Sequence, residues 1–417
     1  MNCIKISGPN ILHGEVDVQG SKNAALPILA AAVLIPDISV VHNCPKIADI
    51  YHMISILEQI GCKVRWEGTS LVIDAKEIGD SRLPKEYVKA MRCSVVFMGA
   101  MLARRGEITL YYPGGCIIGK RPIDLHKKAL GLLGAVFEEA ADCIHAKTDG
   151  LTGSTIRMDF PSVGATQNAI LAAVTAQGRT LIEGGAREPE VTELVRFLNC
   201  AGAKIVLGKK GQYEIEGVRQ LHAVEFTVVS DRIVAGTYLL AGVASRGHIL
   251  LHRAPVWHLG SVVEVLKKLG AKVTASGDCI ELDAGGGICP IPYLETAVYP
   301  GFPTDLQSPL LAALSLAEGV SCVRERIFEN RFAVAEQLRR MGADIQISKD
   351  TAVVCGVKYL VGNEVAAGEL RGGAALVIAG LCARCETMIT GCRYIDRGYE
   401  DICRDLQCLG GNMELMT

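Results

Sequence analysis

Aromatic residues are scarce: they make up 5% of the chain, and only two are tryptophan. Any core must therefore be assembled mainly from Ala, Val, Ile and Leu, within an apolar fraction of 49%. Long apolar runs are missing as well. No stretch reaches the roughly 18 consecutive apolar residues of a spanning helix, so neither a helical membrane protein nor a membrane partner is expected. Charge of one sign is not in excess either. The net value is −2, which gives no reason to expect nucleic acid as a partner, and any anion site must be a local cluster. The first residues, MNCIKISGPN, lack the layout of a secretory signal, so a cytoplasmic location is expected. The sixteen cysteines then read as mostly buried small apolar residues, not disulfides. Cys382 and Cys385 form a C-x-x-C, but the second pair that a zinc site needs is missing. No metal and no cofactor are expected.

What the chain does have is an internal repeat. Its 417 residues are too many for one small core and suggest at least two domains. The segments LEQIGCKVRW, LGLLGAVFEE, LNCAGAKIVL, LKKLGAKVTA, LRRMGADIQI and LQCLGGNMEL share one pattern. Their glycines, Gly61, Gly134, Gly202, Gly270, Gly342 and Gly410, lie 73, 68, 68, 72 and 68 residues apart. Each sits where a helix should end in left-handed geometry. Upstream of each comes a helix that is apolar almost all round, such as AALPILAAAVL or QNAILAAVTA, and then a short strand. A helix apolar on every face is a buried helix. The unit reads as helix, strand, helix, strand, strand, with the apolar helix inside and the strands outside. Six bulky inner helices do not fit around one axis, so two globes of three units are expected. An open solenoid fits less well, because the inner helices are too apolar to stack in an exposed array.

Each unit has two turns that open helix N-termini, where free N–H groups favour phosphate and carboxylate. Cations recur at these turns: Lys22, Arg92, Arg121, Arg232, Arg331, Arg371 and Arg397. They could converge on one cleft. Arg187 and Arg232 also have acidic neighbours as alternative partners. One loop breaks the pattern, YYPGGCIIGKRPIDLH at residues 111–126. Its glycines give it permissive backbone. Cys116 sits among them, shortly before Lys120 and Arg121, and nearby cations favour a thiolate. Most cysteines are packing residues, so both readings of Cys116 remain open on the residues alone.

The stretches GSKNAALPILAAAVL, PGGCIIGKRPIDLH, SVGATQNAIL, REPEVTELVRFLN, FPTDLQSP, FENRF and YIDRGYE occur in order from residue 4 to the end. Together they resemble the UDP-N-acetylglucosamine 1-carboxyvinyltransferases, of the enolpyruvyl transferase family. The resemblance implies an α/β fold of two inside-out α/β barrel globes, each of three repeated units with buried helices and outer sheets. One domain would span 22–229, the other 1–21 with 230–417. It implies phosphoenolpyruvate and UDP-N-acetylglucosamine as substrates. Lys22, Arg121 and Arg397 would hold the anionic groups of phosphoenolpyruvate, and Asn23 would bond the tetrahedral intermediate. Asp305 would accept from the sugar 3-hydroxyl, as general base. Arg92, Arg121, Pro122, Ile123, Asp124, Leu125, Ser162, Val163, Gly164 and Ile327 would line the nucleotide-sugar site, with Arg331 and Arg371 in supporting places. Cys116 would protonate the vinyl methylene or form a phospholactoyl adduct. Two positions depart from the pattern. Glu369 stands where an Asp is frequent, moving a proton-transfer carboxylate by one methylene, and Phe160 replaces a Lys. The rivals are 5-enolpyruvylshikimate-3-phosphate synthase, with the same reaction type, and a catalytically weak paralogue that binds the sugar nucleotide and regulates the pathway. The PGGC loop opposes the first. The presence of Lys22, Asn23, Arg121, Asp305 and Arg397 opposes the second.

Overall fold

The structure is a computed structural model that describes residues 2–112, 119 and 122–416. Cys116, Lys120 and Arg121 lie outside the described residues. Two compact units emerge, residues 20–112 with 122–229, and residues 2–19 with 119 and 230–416, called here the middle and the terminal unit. Each has its own apolar core.

The six all-apolar segments form the helices Lys22–Ala32, Phe97–Arg105 and Val163–Ala173 in the middle unit. Arg232–Ala244, Gln307–Leu314 and Leu370–Cys382 are their counterparts in the terminal unit. Every residue of Arg232–Ala244 is buried, so no face is left for solvent. Sheets lie outside these helices. Strands such as Ile38–His42 and Val320–Arg324 alternate between buried and more open positions, the pattern of a sheet with one face on a core. Fully burying each large aliphatic side chain contributes about 1.5–3 kcal/mol. The dense packing of Leu, Ile and Val around the inner helices is thus what holds each unit together. The marker glycines end the second helices with φ between 85° and 105°, a conformation that other residues enter at a cost.

The repeat has one element more than its sequence pattern suggests. A short leading strand precedes the inner helix and pairs parallel with the strand after it. Thr155–Arg157 with Arg179–Glu183 is one case, Leu294–Glu295 with Val320–Arg324 another. Two of these leading strands are exchanged. His13–Asp17 precedes the first inner helix but pairs with His248–His252, and Val224–Thr227 precedes the fourth but pairs with Ile38–His42. The sixth unit is also unusual. Among the described residues one strand, Met413–Met416, follows its marker glycine, and the N-terminal strand Cys3–Gly8 lies between it and Cys385–Thr390.

The cysteine expectation needs correction. All fifteen described cysteines are free thiols, but only Cys44, Cys62, Cys392 and Cys403 are buried. Cys200, Cys289, Cys385 and Cys408 are exposed. Cys200 and Cys408 are the last residues of amphipathic helices, where the chain turns out to solvent. No described helix is long and apolar enough to cross a membrane.

Candidate functional site

The candidate residues fall in both units, and each unit's share has its own geometry. In the terminal unit the centre is Asp305, in the turn that opens the Gln307–Leu314 helix. Arg331 Nη2 donates to its Oδ1 at 2.6 Å, and Arg371 Nη2 to its Oδ2 at 3.2 Å. Both arginine side chains are almost fully buried, while the Asp305 side chain keeps 28% exposure. The carboxylate therefore has an open side and two guanidinium groups behind it. Burial opposes its ionisation, but Arg371, Arg331 and Arg232 outweigh that effect and hold its carboxyl well below the usual range. Arg232, nearly buried, lies over the Tyr299 ring at 5.7 Å, and Arg371 over Tyr399 at 6.0 Å.

Glu369 is the N-cap of the Leu370–Cys382 helix. Its carboxylate accepts from the backbone N–H of Arg371 at 2.8 Å and from that of Gly372, and lies 3.6 Å from Arg331. Both oxygens serve the helix end and satisfy two of its free N–H groups. Thr304 donates to Glu325, whose other oxygen accepts from the backbone of Ile327 and Phe328. Glu325, nearly buried, thus fixes the turn that carries Ile327 next to the Asp305 turn. Arg397 ends the short 3-10 turn Cys392–Arg397 and is half-buried. Gln19 braces the residues after it, donating to Gly398 O at 3.2 Å and accepting from Glu400 N at 2.8 Å.

In the middle unit Lys22 opens the first inner helix, which Ser21 caps by accepting from Ala24 N. The Lys22 ammonium pairs with Asp49 at 2.6 Å, and both side chains are largely buried. Asn23 follows it and is half-buried. Arg92 reaches Pro122 O at 3.4 Å, which ties it to the turn Pro122–Ile123. That turn leads into the helix Asp124–Leu132, with Asp124 exposed and Leu125 half-buried. Ser162 caps the Val163–Ala173 helix, and Thr166 binds Ser162 O at 2.8 Å while accepting from Ala186 N at 3.0 Å. The turn Ser162–Gly164 is thereby tied to the next loop of the unit. Gly164 has a specific reason to be glycine. A Cβ there would lie 2.9 Å from His126 Cε1 and 3.2 Å from Nε2. Phe160, just before, is 46% exposed.

The structure thus brings Asp305, Arg331, Arg371 and Glu369 into one cluster. It also sets Arg92 and Pro122 together, and Ser162–Gly164 against the helix of Asp124. Several residues in these clusters are absent from the sequence-based set: Asp49, Gln19, His126, Asn168 and Glu325. Asn168 stood in the motif SVGATQNAIL and His126 at the end of PGGCIIGKRPIDLH. The others have no local mark, because their partners lie far along the chain.

A family model described as EPSP synthase (3-phosphoshikimate 1-carboxyvinyltransferase) matches residues 6–406. The UDP-N-acetylglucosamine 1-carboxyvinyltransferase 2 of Caldanaerobacter subterraneus subsp. tengcongensis is 45% identical over 99% of both chains. The UDP-N-acetylglucosamine 1-carboxyvinyltransferase of Solidesulfovibrio magneticus is 41% identical over the whole of both. Among solved structures, the enolpyruvyl transferase NikO from Streptomyces tendae aligns with TM-score 0.90 at 24% identity, covering 100% of this chain and 99% of its own. An EPSP synthase from Acinetobacter baumannii aligns with TM-score 0.77 at 17% identity over the full length of both chains. At those identities the two structures speak to the fold, which is the inside-out two-domain arrangement of the enolpyruvyl transferases. The chain belongs to the enolpyruvyl transferase family and, within it, to the UDP-N-acetylglucosamine 1-carboxyvinyltransferases.

Proposed function

We propose that this enzyme moves the carboxyvinyl group of phosphoenolpyruvate to the 3-hydroxyl of UDP-N-acetylglucosamine and releases phosphate, in the cytoplasm, as the first committed step of peptidoglycan synthesis. The observation that carries this reading is the full-length identity of 41–45% with enzymes named for that reaction. The Asp305 cluster supports it chemically. The reaction has two stages. The hydroxyl oxygen adds to C2 of phosphoenolpyruvate while C3 gains a proton and the hydroxyl loses one. The C2–O bond to phosphate then breaks, C3 gives up a proton, and the vinyl group re-forms on the sugar oxygen. The two proton transfers at C3 cancel, and the hydroxyl proton leaves with phosphate.

In this reading Asp305 receives the hydroxyl proton. As a carboxylate clamped by two guanidinium groups it is a weak base. The two contacts fix the direction of that carboxylate. Lys22, Arg121 and Arg397 bind the phosphate and carboxylate, Arg by paired contacts and Lys as a point charge. Asn23 bonds the tetrahedral intermediate. Cys116 supplies the proton to the methylene or carries an adduct. Arg92, Pro122 to Leu125, Ser162 to Gly164 and Ile327 line the nucleotide sugar, where two helix N-termini suit a diphosphate. Arg331 and Arg371 steer Asp305. Glu369 acts through its helix cap and its contact with Arg331.

The test is phosphate release from phosphoenolpyruvate with each of two acceptors. Release is expected with UDP-N-acetylglucosamine and not with shikimate 3-phosphate, and the reverse would identify the enzyme with its rival. A finer test lies at Gly164. The Gly164→Ala variant should push His126 aside and raise KM for UDP-N-acetylglucosamine about tenfold, with kcat changed much less. An unchanged KM would remove this turn from the nucleotide-sugar site.

A further inference from the structure

Asn168 lies inside the Val163–Ala173 helix and is fully buried. Its three partners have a definite order. Its Oδ1 accepts from the backbone N–H of Gly99 at 2.6 Å. Its Nδ2 donates to Val95 O at 3.0 Å and lies 2.7 Å from His126 Nδ1. Gly99 N–H can only donate, and Val95 O can only accept. These two backbone groups therefore fix which end of the amide is oxygen and which is nitrogen. The opposite assignment would set oxygen against oxygen and N–H against N–H. Gly99 makes the arrangement possible, since a Cβ at that position would come within 2.3 Å of the Asn168 backbone oxygen. The two helices can approach this closely only with glycine there.

The fixed amide then dictates the state of the imidazole. Asn168 Nδ2 presents a proton to His126 Nδ1, so Nδ1 must be the bare, accepting nitrogen. A proton on Nδ1 would face another donor at 2.7 Å. The ring's remaining proton must sit on Nε2. That nitrogen belongs to the ring edge packed on Gly164, in the turn whose N–H groups open the Val163–Ala173 helix.

We propose that Asn168 is a positioning residue: through the backbone of Gly99 and Val95 it holds His126 as a neutral imidazole with its proton on Nε2, against the Ser162–Gly164 turn. The device serves the nucleotide-sugar site, and in that respect it rests on the function proposed above. A neutral donor at a fixed edge keeps the turn's shape without adding a cation that would change with pH. Second-layer partners of this kind set the tautomer and orientation of the histidine they bind.

The tautomer can be read without substrate or turnover, so the test separates this proposal from the functional one. The chain has nine histidines. In protein labelled with nitrogen-15 at histidine, long-range nitrogen–proton correlation spectra distinguish the two neutral tautomers and the imidazolium. The His126→Gln variant assigns the signal by its loss. In the unsubstituted protein near neutral pH, His126 should show a single neutral pattern with the proton on Nε2. A proton on Nδ1, or an imidazolium pattern, would overturn the proposal. In Asn168→Asp the group facing Nδ1 becomes an acceptor, and the His126 pattern should change to one with Nδ1 protonated. Retention of the Nε2 pattern in that variant would show that Asn168 does not set the tautomer. If Asn168→Asp does not fold, the spectrum of the unsubstituted protein still decides. In Asn168→Ala, KM for UDP-N-acetylglucosamine should rise about tenfold with kcat within about twofold. Unchanged KM with an altered tautomer would confine the device to the fold and overturn its part in substrate binding.

Discussion

Asp305→Ala should lower kcat by roughly 10²–10⁴-fold, the range for loss of a positioned general base, while UDP-N-acetylglucosamine still binds. The motive is the geometry: an ionised carboxylate with an open side, held by Arg331 at 2.6 Å and Arg371 at 3.2 Å. The same substitution removes the counter-charge of two buried guanidinium groups, and breaking a buried pair costs about 3–5 kcal/mol. Asp305→Asn keeps the volume and should show the kinetic loss with less disturbance of packing. The pH dependence of stability gives a second readout. The folded carboxyl lies below its ordinary value, so its contribution is present above the unfolded value of about 4 and is lost as pH falls through the folded value. The gap in melting temperature between the unsubstituted protein and Asp305→Asn should be steady above about pH 5 and narrow below about pH 4. Near-normal turnover in Asp305→Asn would remove Asp305 from the proton path. A gap that widens with acid would contradict the charge arrangement.

Brief treatment with the epoxide phosphonate fosfomycin should alkylate one cysteine, Cys116, and Cys116→Ser should abolish the adduct. The argument is the sequence around it, a thiol after Gly114 and Gly115 and shortly before Lys120 and Arg121. Those charges favour a thiolate, which opens the epoxide at carbon, and the resulting alkoxide takes up a proton. A phosphonate held where phosphate binds would place the epoxide near sulfur, a proximity effect of at least about 10²-fold over free thiols. The structure sharpens this test. Burial of the other thiols cannot supply the selectivity, since Cys200, Cys289, Cys385 and Cys408 are exposed. Desolvation does push Cys62, Cys382 and Cys403 up to about 12, which leaves them poor nucleophiles. UDP-N-acetylglucosamine should speed the labelling. Mass spectrometry that found adducts spread over the exposed cysteines, or no effect of the nucleotide sugar, would contradict the role given to this loop.

The repeat was legible because it depends on local chemistry. An inner helix such as Arg232–Ala244 carries apolar side chains on every face, and the marker glycines take a backbone conformation that few residues share. The leading strands were not legible. Leu294–Glu295 has two residues and Glu364–Ala366 three, too short to establish a period of two. Their identity comes from the parallel partner across the inner helix. The exchange of His13–Asp17 and Val224–Thr227, and the N-terminal strand in the sixth sheet, are long-range pairings with no local signature. Cysteine burial was misjudged because residue type stood in for position, and several cysteines lie at helix ends. At the site, the cations at helix-opening turns were visible as recurring Lys and Arg. Their carboxylate partners were not: Asp49, which pairs with Lys22, and the clamp around Asp305 depend on which turns the fold places side by side. Glu369, which the resemblance connects with proton transfer, caps its own helix with both oxygens, and the residues alone carry no mark of that arrangement.

The most direct test of the account is the structure of the product. Incubating the enzyme with phosphoenolpyruvate and UDP-N-acetylglucosamine should yield equal amounts of inorganic phosphate and one new nucleotide sugar. Proton and carbon NMR should show a vinyl methylene and a carboxylate joined through an ether to the 3-oxygen of the sugar. A carboxyvinyl group on another oxygen, a phosphorylated sugar in place of free phosphate, or no product from an enzyme that binds both substrates would contradict it.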